Sequence, residues 1–246
     1  MAKWTPTKGA QLRYEVQLRK VAKAVASIVE AHTDGATIRN PEGMRRQLEA
    51  YSDALGPWAS RLVDKLLRDV STSNMRTWQQ QSSAISKELK SVLAESQVGQ
   101  VARMLHTAQV DLIKSLPTDA AVRAQTLAQS AATGGRRASE VAADLLRTEE
   151  VTLSRATLIA RTEIAKANSA IVQARAQYVG ATHYYWRTAE DAEVRETHAD
   201  LDGEIFAFDN PPEIEGEGRH GPGEIWNCRC YAEPIIPGDP GSDNAE

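Results

Sequence analysis

The chain has 246 residues, 41% of them hydrophobic, which is long enough for one large domain or two modest ones with a core that needs no cross-links. Two cysteines exclude a disulfide framework, no apolar run approaches the roughly 18 residues of a membrane span, and the N-terminus lacks an apolar signal core, so we expect a soluble protein made in a cytoplasm. Residues 1–180 carry 25 Lys/Arg and 17 Asp/Glu, a net charge of +8, whereas residues 181–246 carry 4 and 16, a net charge of −12.

Apolar residues recur every three or four positions through the first 113 residues, which predicts helices that pack on each other or on partner chains. The stripes cover 11–32, 41–55, 58–70, 75–92 and 101–112, with Ser71-Thr72-Ser73 between the third and the fourth. Gly56-Pro57 predicts a stop between the second and third stripes, because proline cannot continue a helix. Gly99 interrupts the pattern before the fifth stripe.

Residues 115–178 continue the helical pattern. Ser115-Leu116-Pro117 predicts a new helix entry, Gly134-Gly135 a break, and Val141 with Leu145 a short helix. The best-formed helix is predicted over 152–178, with Gly180 as its terminator. Its buried face is predicted to consist of Ile164, Ala167, Ile171, Ala174 and Tyr178.

After Gly180 the periodicity changes from helical to alternating. We expect a strand over 183–188, a short helix over 192–199, a second strand near 205–208, an irregular loop over 210–223 and a final strand over 228–236. The whole pattern predicts an α+β fold with three parts. These are a long helical N-terminal region (1–114), a small mixed α/β C-terminal domain with short strands (115–236) and a disordered acidic tail (237–246).

One ordered set of residues carries a resemblance to a known family. It comprises Arg161-Thr162-Glu163, Asn168, Trp186, Asp191, Arg195, His198, Leu201-Asp202-Gly203, Pro222-Gly223 and Asn227-Cys228-Arg229-Cys230. In this order the set resembles the phage Mu F-like family, the minor head or head morphogenesis proteins of tailed bacteriophages. The resemblance covers roughly residues 115–236.

The resemblance implies a virion component inside the phage head, made in the host cytoplasm. It implies the portal protein or the major capsid protein as partners, packaged double-stranded DNA as a further candidate partner, and no membrane. The N-terminal half shows no matching motif and is interpreted as a docking region for the portal or capsid.

His198, Cys228 and Cys230 are candidate ligands of one structural zinc, with His220 or Asp202 completing a tetrahedron. The alternative is that both cysteines are small packing groups on one face of a strand and that His198 binds a carboxylate. A second hypothesis places Glu163, Asp191, Arg195 and His198, with Asp202 as a further candidate, in a buried polar network, because arginine donates two hydrogen bonds to one carboxylate.

Two other classes of function stay open beside an assembly protein. A metal-dependent hydrolase or nuclease would use His198, Asp202, His220, Cys228 and Cys230, but no catalytic motif supports it, so we expect no enzyme. Weak, salt-sensitive DNA binding would use the basic residues of 1–180, although ordinary solvated surface explains the charge equally well.

Overall fold

The computed structural model describes residues 4–5, 8–33, 38–81, 98–132, 140–141, 143–144 and 147–238. Its four long helices are α1 (Lys8–Ala31), α2 (Pro41–Gln81), α3 (Val98–Ala132) and α4 (Thr148–Tyr178). The shorter elements that follow are β1 (His183–Arg187), α5 (Glu196–Ala199), β2 (Ile205–Ala207), β3 (Glu213–Ile214), β4 (Gly218–Arg219) and β5 (Tyr231–Pro234). Long helices followed by short antiparallel strands confirm the predicted α+β class. None of the helices in these ranges is both long and apolar enough to cross a bilayer.

Helix α2 runs through Gly56-Pro57, so the predicted stop is wrong. Pro57 is exposed, and buried residues continue at helical spacing on both sides of it, including Leu55, Ala59 and Val63. An interior proline costs about 3 kcal/mol. Each fully buried Val or Leu contributes about 1.5–3 kcal/mol, so the continuous apolar face outweighs the local break.

Helix α3 likewise runs through Pro117, which was predicted to begin a new helix. The buried residues Ile113, Leu116 and Ala120 lie three and four positions apart and keep one apolar face across the proline. Several predictions fall on residues outside the described ranges. They concern the part of the fourth stripe beyond Gln81, the break at Gly134-Gly135, Leu145 and the tail beyond Gly238.

The chain forms two compact units. The helical unit consists of Leu12–Asp64 and His106–Ala160, and the mixed unit of Met1–Gln11, Lys65–Leu105 and Arg161–Glu246. The predicted boundary at 114/115 falls inside helix α3, which is continuous over Val98–Ala132. The core of the helical unit contains Val25, Val29, Met44, Leu48, Ala120, Ala121, Ala124, Leu127 and Val141.

The mixed unit contains an antiparallel three-stranded sheet in the order β2-β1-β5. Tyr184 and Trp186 of β1 point into the core while their neighbours are half-buried, as the alternating pattern predicted. Core residues from the first residues of the chain, α2, α4 and the loops surround this sheet, among them Trp4, Trp78, Val172, Ala176, Ile214, Ala232 and Ile236.

Three local predictions in the mixed unit need correction. The segment 210–223 is not wholly irregular, because β3 and β4 pair there as a hairpin. The short helix covers only Glu196–Ala199, and residues 192–195 form a turn before it. The last strand begins at Tyr231, so both cysteines lie in an irregular segment just ahead of β5.

A buried arginine also stabilises this unit. Arg175 of α4 is 1% exposed and donates to the Ser71 carbonyl and hydroxyl and to Asn74 Oδ1. All three acceptors are neutral, and burial lowers the pKa of Arg175 to about 10. These hydrogen bonds hold α4 on the C-terminal part of α2 within the mixed unit.

Candidate metal centre

His198 lies in the single turn of α5 and is almost completely buried, with 1% of its surface exposed. Its ring packs perpendicular to the ring of Trp186, with the ring centroids 5.4 Å apart. Trp186 is itself fully buried in β1, so the sheet fixes one side of the imidazole. The two ring nitrogens of His198 face different partners, which are the two cysteines and Glu217.

Cys228 and Cys230 are buried, whereas Arg229 between them is exposed and pairs with Asp191 at 2.5 Å. This alternation of burial was predicted for a strand, but it arises in irregular backbone before β5. Neither cysteine forms a disulfide.

Two side chains hold the backbone that leads into the cysteines. The hydroxyl of Thr162 in α4, which is fully buried, accepts a hydrogen bond from the N–H of Asn227 at 3.2 Å. Arg195 donates to the Trp226 carbonyl at 2.8 Å. Asn227 has a positive φ of 60°, which reverses the chain direction immediately before Cys228.

The structure brings the imidazole and both thiols together. His198 Nδ1 lies 3.6 Å from Cys228 Sγ and 3.5 Å from Cys230 Sγ. The potential ligand atoms of these three residues all lie within 4.8 Å of one another, and all three residues are buried. The N–H of Gly223 donates to Cys228 Sγ at 3.3 Å.

The other nitrogen of His198 faces a carboxylate. Nε2 lies 2.7 Å from Oε2 of Glu217, and Nε2 of His220 lies 3.1 Å from the same oxygen. Arg195 Nε approaches Oε1 of Glu217 at 3.2 Å. Glu217, in the turn between β3 and β4, thus contacts three side chains. They are Arg195 just before α5, His198 in α5 and His220 in the loop after β4.

These contacts shift the pKa values of the cluster. The two neighbouring thiols shift each other in opposite directions, so that Cys230 lowers the pKa of Cys228 and Cys228 raises the pKa of Cys230. The hydrogen bond to Cys228 raises the pKa of His198, with a further contribution from Glu217. Burial raises the pKa of Glu217, but the hydrogen bonds from His198 and His220 outweigh it and leave that pKa lowered. These shifts favour the thiolate form of Cys228.

His220 and Asp202, the two residues predicted to complete a tetrahedron, lie elsewhere. His220 forms a second group with His198 and Glu217, and its Nδ1 faces the Gly221 carbonyl at 3.0 Å. Asp202 Oδ1 accepts the N–H of Thr188 at 2.7 Å and so closes the turn between α5 and β2 against the end of β1.

The predicted polar network has other members than expected. Asp191 pairs with Arg229, and Glu163 lies 3.3 Å from Lys166 one turn along α4. Arg195 pairs with Glu217 instead of Asp191. The prediction was wrong about these partners because it placed Arg195 inside a helix, whereas Arg195 is the residue before α5 and extends toward the loop.

The remaining motif residues mostly support the cysteine segment or the sheet. Arg161 donates to Asn227 Oδ1 at 3.4 Å, and Gly203 has a φ of +88° in the turn before β2. Asn168 is buried in α4 and donates to the Trp4 carbonyl at 2.6 Å.

Glu217 is the one member of this site that the sequence analysis missed. It lies in Gly216-Glu217-Gly218, three residues before His220. A carboxylate that fixes the second nitrogen of a metal-binding histidine is a common arrangement. The sequence did offer one indication of this role, because the carboxylate of Glu217 lies between two glycines and close to the candidate ligand His220.

The fold and the site define a helix-rich α+β protein with a buried histidine–cysteine cluster in its mixed unit. Residues 122–233, just under half of the chain, match the family model described as Phage Mu protein F like protein. The match supports the resemblance to the phage Mu F-like family that the order of the motifs indicated, and its limits lie within seven residues of the predicted 115–236.

One relative is an "Uncharacterized protein" from Haemophilus influenzae, which is 36% identical over 132 residues. The match covers 54% of this chain and 29% of the relative, so the chain spans less than a third of that protein. No solved structure matches the chain.

Proposed function

We propose that this protein acts in the morphogenesis of a bacteriophage head, as a minor capsid protein inside the head. The observation that carries the proposal is the match of residues 122–233 to the phage Mu F-like family, together with the ordered motifs in that segment. The structure gives those motifs a physical role, since Thr162, Arg195 and Asn227 fix the loop that presents the buried cysteines. We interpret this role as structural, not catalytic.

The finer proposal is that the protein associates with the portal vertex. The charge distribution supports two kinds of neighbour, because residues 1–180 carry a net +8 and residues 181–246 a net −12. The acidic C-terminal residues repel DNA phosphates and suit a protein partner. The basic residues of 1–180 suit an acidic protein surface or packaged DNA.

A pull-down tests the portal association. The full chain is co-expressed with the portal protein of the same phage, with the major capsid protein of that phage and with the portal protein of an unrelated phage as parallel baits. We expect retention by the portal protein of the same phage after washing at about 0.15 M salt, the physiological range. If none of the baits retains the protein, the portal proposal is contradicted. If the major capsid protein alone retains it, the protein binds the capsid shell and not the portal.

One observation favours a second candidate, a metal-dependent hydrolase or nuclease. Cys228 and Cys230 line a cavity of about 430 Å³ whose lining also includes Arg161 and Arg229 and, among the described residues, contains no carboxylate. A catalytic metal needs an open position that a substrate reaches. Incubation of the purified protein with DNA and added zinc, magnesium or manganese tests this candidate. We expect no cleavage, and cleavage that Cys228→Ser abolishes would establish the second function.

A further inference from the structure

The distances around His198 Nδ1 match those of a tetrahedral zinc site. Zinc binds a histidine nitrogen at about 2.0–2.1 Å and a cysteine sulfur at about 2.3 Å, so a tetrahedral angle separates nitrogen and sulfur by about 3.6 Å. The observed separations from Nδ1 are 3.6 Å to Cys228 Sγ and 3.5 Å to Cys230 Sγ. One ring nitrogen exchanges a single proton, so a hydrogen bond explains one close sulfur, whereas a shared ion explains both.

The opposite side of the imidazole has the arrangement that a metal ligand requires. With a proton on Nε2, His198 donates to Glu217 at 2.7 Å, and the lone pair of Nδ1 then faces the two sulfurs. A carboxylate partner of this kind fixes both the tautomer and the ring orientation of a metal-binding histidine. Glu217 is itself held by His220 and Arg195, so its position does not depend on the ion.

Burial adds an argument from charge. Two thiolates buried side by side repel each other, and a divalent cation between them removes that cost. The N–H of Gly223 already donates to Cys228 Sγ, which is how a backbone stabilises a thiolate ligand. The three residues are only 1–6% exposed, so most of their surface is shielded from bulk water.

We propose that the mixed unit binds one zinc ion through His198 Nδ1, Cys228 Sγ and Cys230 Sγ, with Glu217 as the positioning residue for His198. His220 is a second donor to Glu217 and not a ligand. In the described part of the chain, no other imidazole, thiol or carboxylate atom joins these three within 4.8 Å, so the fourth position falls to water or another small ligand. If the two cysteines were only packing groups, nothing would explain why both sulfur atoms lie at a zinc-like distance from His198 Nδ1.

The ion would connect two segments that contain little regular secondary structure. Cys228 and Cys230 lie in irregular backbone, and α5 is one turn of four residues. The ligands are 30 and 32 residues apart in sequence, so one ion would close the loop from α5 to β5. Binding free energy at such a site contributes directly to folding.

Metal content of the full-length wild-type protein is the primary test. The protein is loaded with zinc, passed over a gel-filtration column in metal-free buffer and measured by elemental analysis. We expect about one zinc per chain, and less than about half an equivalent would overturn the proposal. An intact mass about 2 Da below the sequence mass, the loss of two hydrogens that a Cys228–Cys230 bond entails, would overturn it as well.

Cobalt replaces zinc as a spectroscopic probe in the same wild-type protein. We expect the intense charge-transfer absorption of cobalt–thiolate bonds together with visible bands of a tetrahedral ion. Bound cobalt without the thiolate absorption would place the metal elsewhere and overturn the proposal. Neither measurement depends on a variant that fails to fold.

Matched variants assign the ligands and the positioning residue. Cys228→Ser, Cys230→Ser and His198→Gln are each expected to abolish retention of zinc, whereas His183→Gln, a histidine of the same unit outside the cluster, retains it. Glu217→Gln is expected to weaken zinc affinity about 10–100-fold without loss of the thiolate absorption. The exposed neighbour provides the control, Glu215→Gln, with unchanged affinity. Equal affinities of these two glutamate variants would remove the positioning role of Glu217.

Discussion

Gly223 contacts both the cysteine segment and helix α4, and its backbone is left-handed with a φ of +86°. A Cβ atom there would lie 3.3 Å from the Cys230 carbonyl oxygen and 3.4 Å from the Ala165 carbonyl oxygen. Both neighbours are backbone atoms and cannot rotate away as side chains do. Glycine is therefore required at this position for conformation and for space.

We expect Gly223→Ala to destabilise the protein more than Gly216→Ala. Gly216 also has a positive φ, +76°, but a Cβ there meets nothing within 4 Å, so its substitution costs only the conformational strain of about 1–2 kcal/mol. The difference in stability between the two variants measures the cost of placing a Cβ atom against the two carbonyl oxygens near Gly223. Thermal or denaturant unfolding at fixed zinc concentration measures it, and equal stabilities would show that the cysteine segment does not pack as described.

At the same scale, residue chemistry in the sequence predicted that His198 meets the cysteine pair, and the structure brings them together. The partners of Arg195 and Asp191 were not predictable, because each has several opposite charges within reach along the chain. The geometry of the loops decides which opposite charge each residue contacts. Asn227 and Gly223 shape these loops through positive φ angles, which the spacing of apolar residues in the sequence does not predict. Glu217 was missed for the same reason.

Gly56 and Pro57 lie inside helix α2, although the backbone preferences of glycine and proline disfavour a helix there and only the packing of the apolar face favours it. Local preference predicted a helix end, whereas the buried residues on both sides keep one helix from Pro41 to Gln81. Periodicity therefore predicted the helical faces well. It failed at helix boundaries, where burial of a continuous apolar face overrides a single proline. The short strands β3 and β4 were also missed, since two residues each carry no alternating pattern.

We expect substitutions in this pair to stabilise the protein. Gly56→Ala adds a Cβ that meets nothing within 4 Å and removes the backbone entropy cost of glycine, a gain of about 0.5–1 kcal/mol. Pro57→Ala at an exposed position restores a helical N–H donor and removes a steric clash, a gain of up to about 3 kcal/mol. Denaturant unfolding of both variants measures these gains. A loss of stability in Pro57→Ala would show that the proline is needed where it lies.

Over the whole molecule, the chain combines a helical unit with a mixed unit that contains the Mu F-like motifs. Its sequence predicted the α+β class, the order of the long helices and the family segment. Each of the two units consists of segments that lie far apart in sequence. The uneven charge distribution is a property of the sequence alone and supports partners of opposite kinds for the two parts of the chain.

The most direct measurement of the central claim is quantitative mass spectrometry of purified, DNA-filled heads from the phage that encodes this chain. The account predicts peptides of this protein in the heads, at low copy number relative to the major capsid protein, and protected from added protease until the heads are opened. Its absence from purified heads, with abundant protein left in the lysate, would contradict a role as a minor capsid protein inside the head.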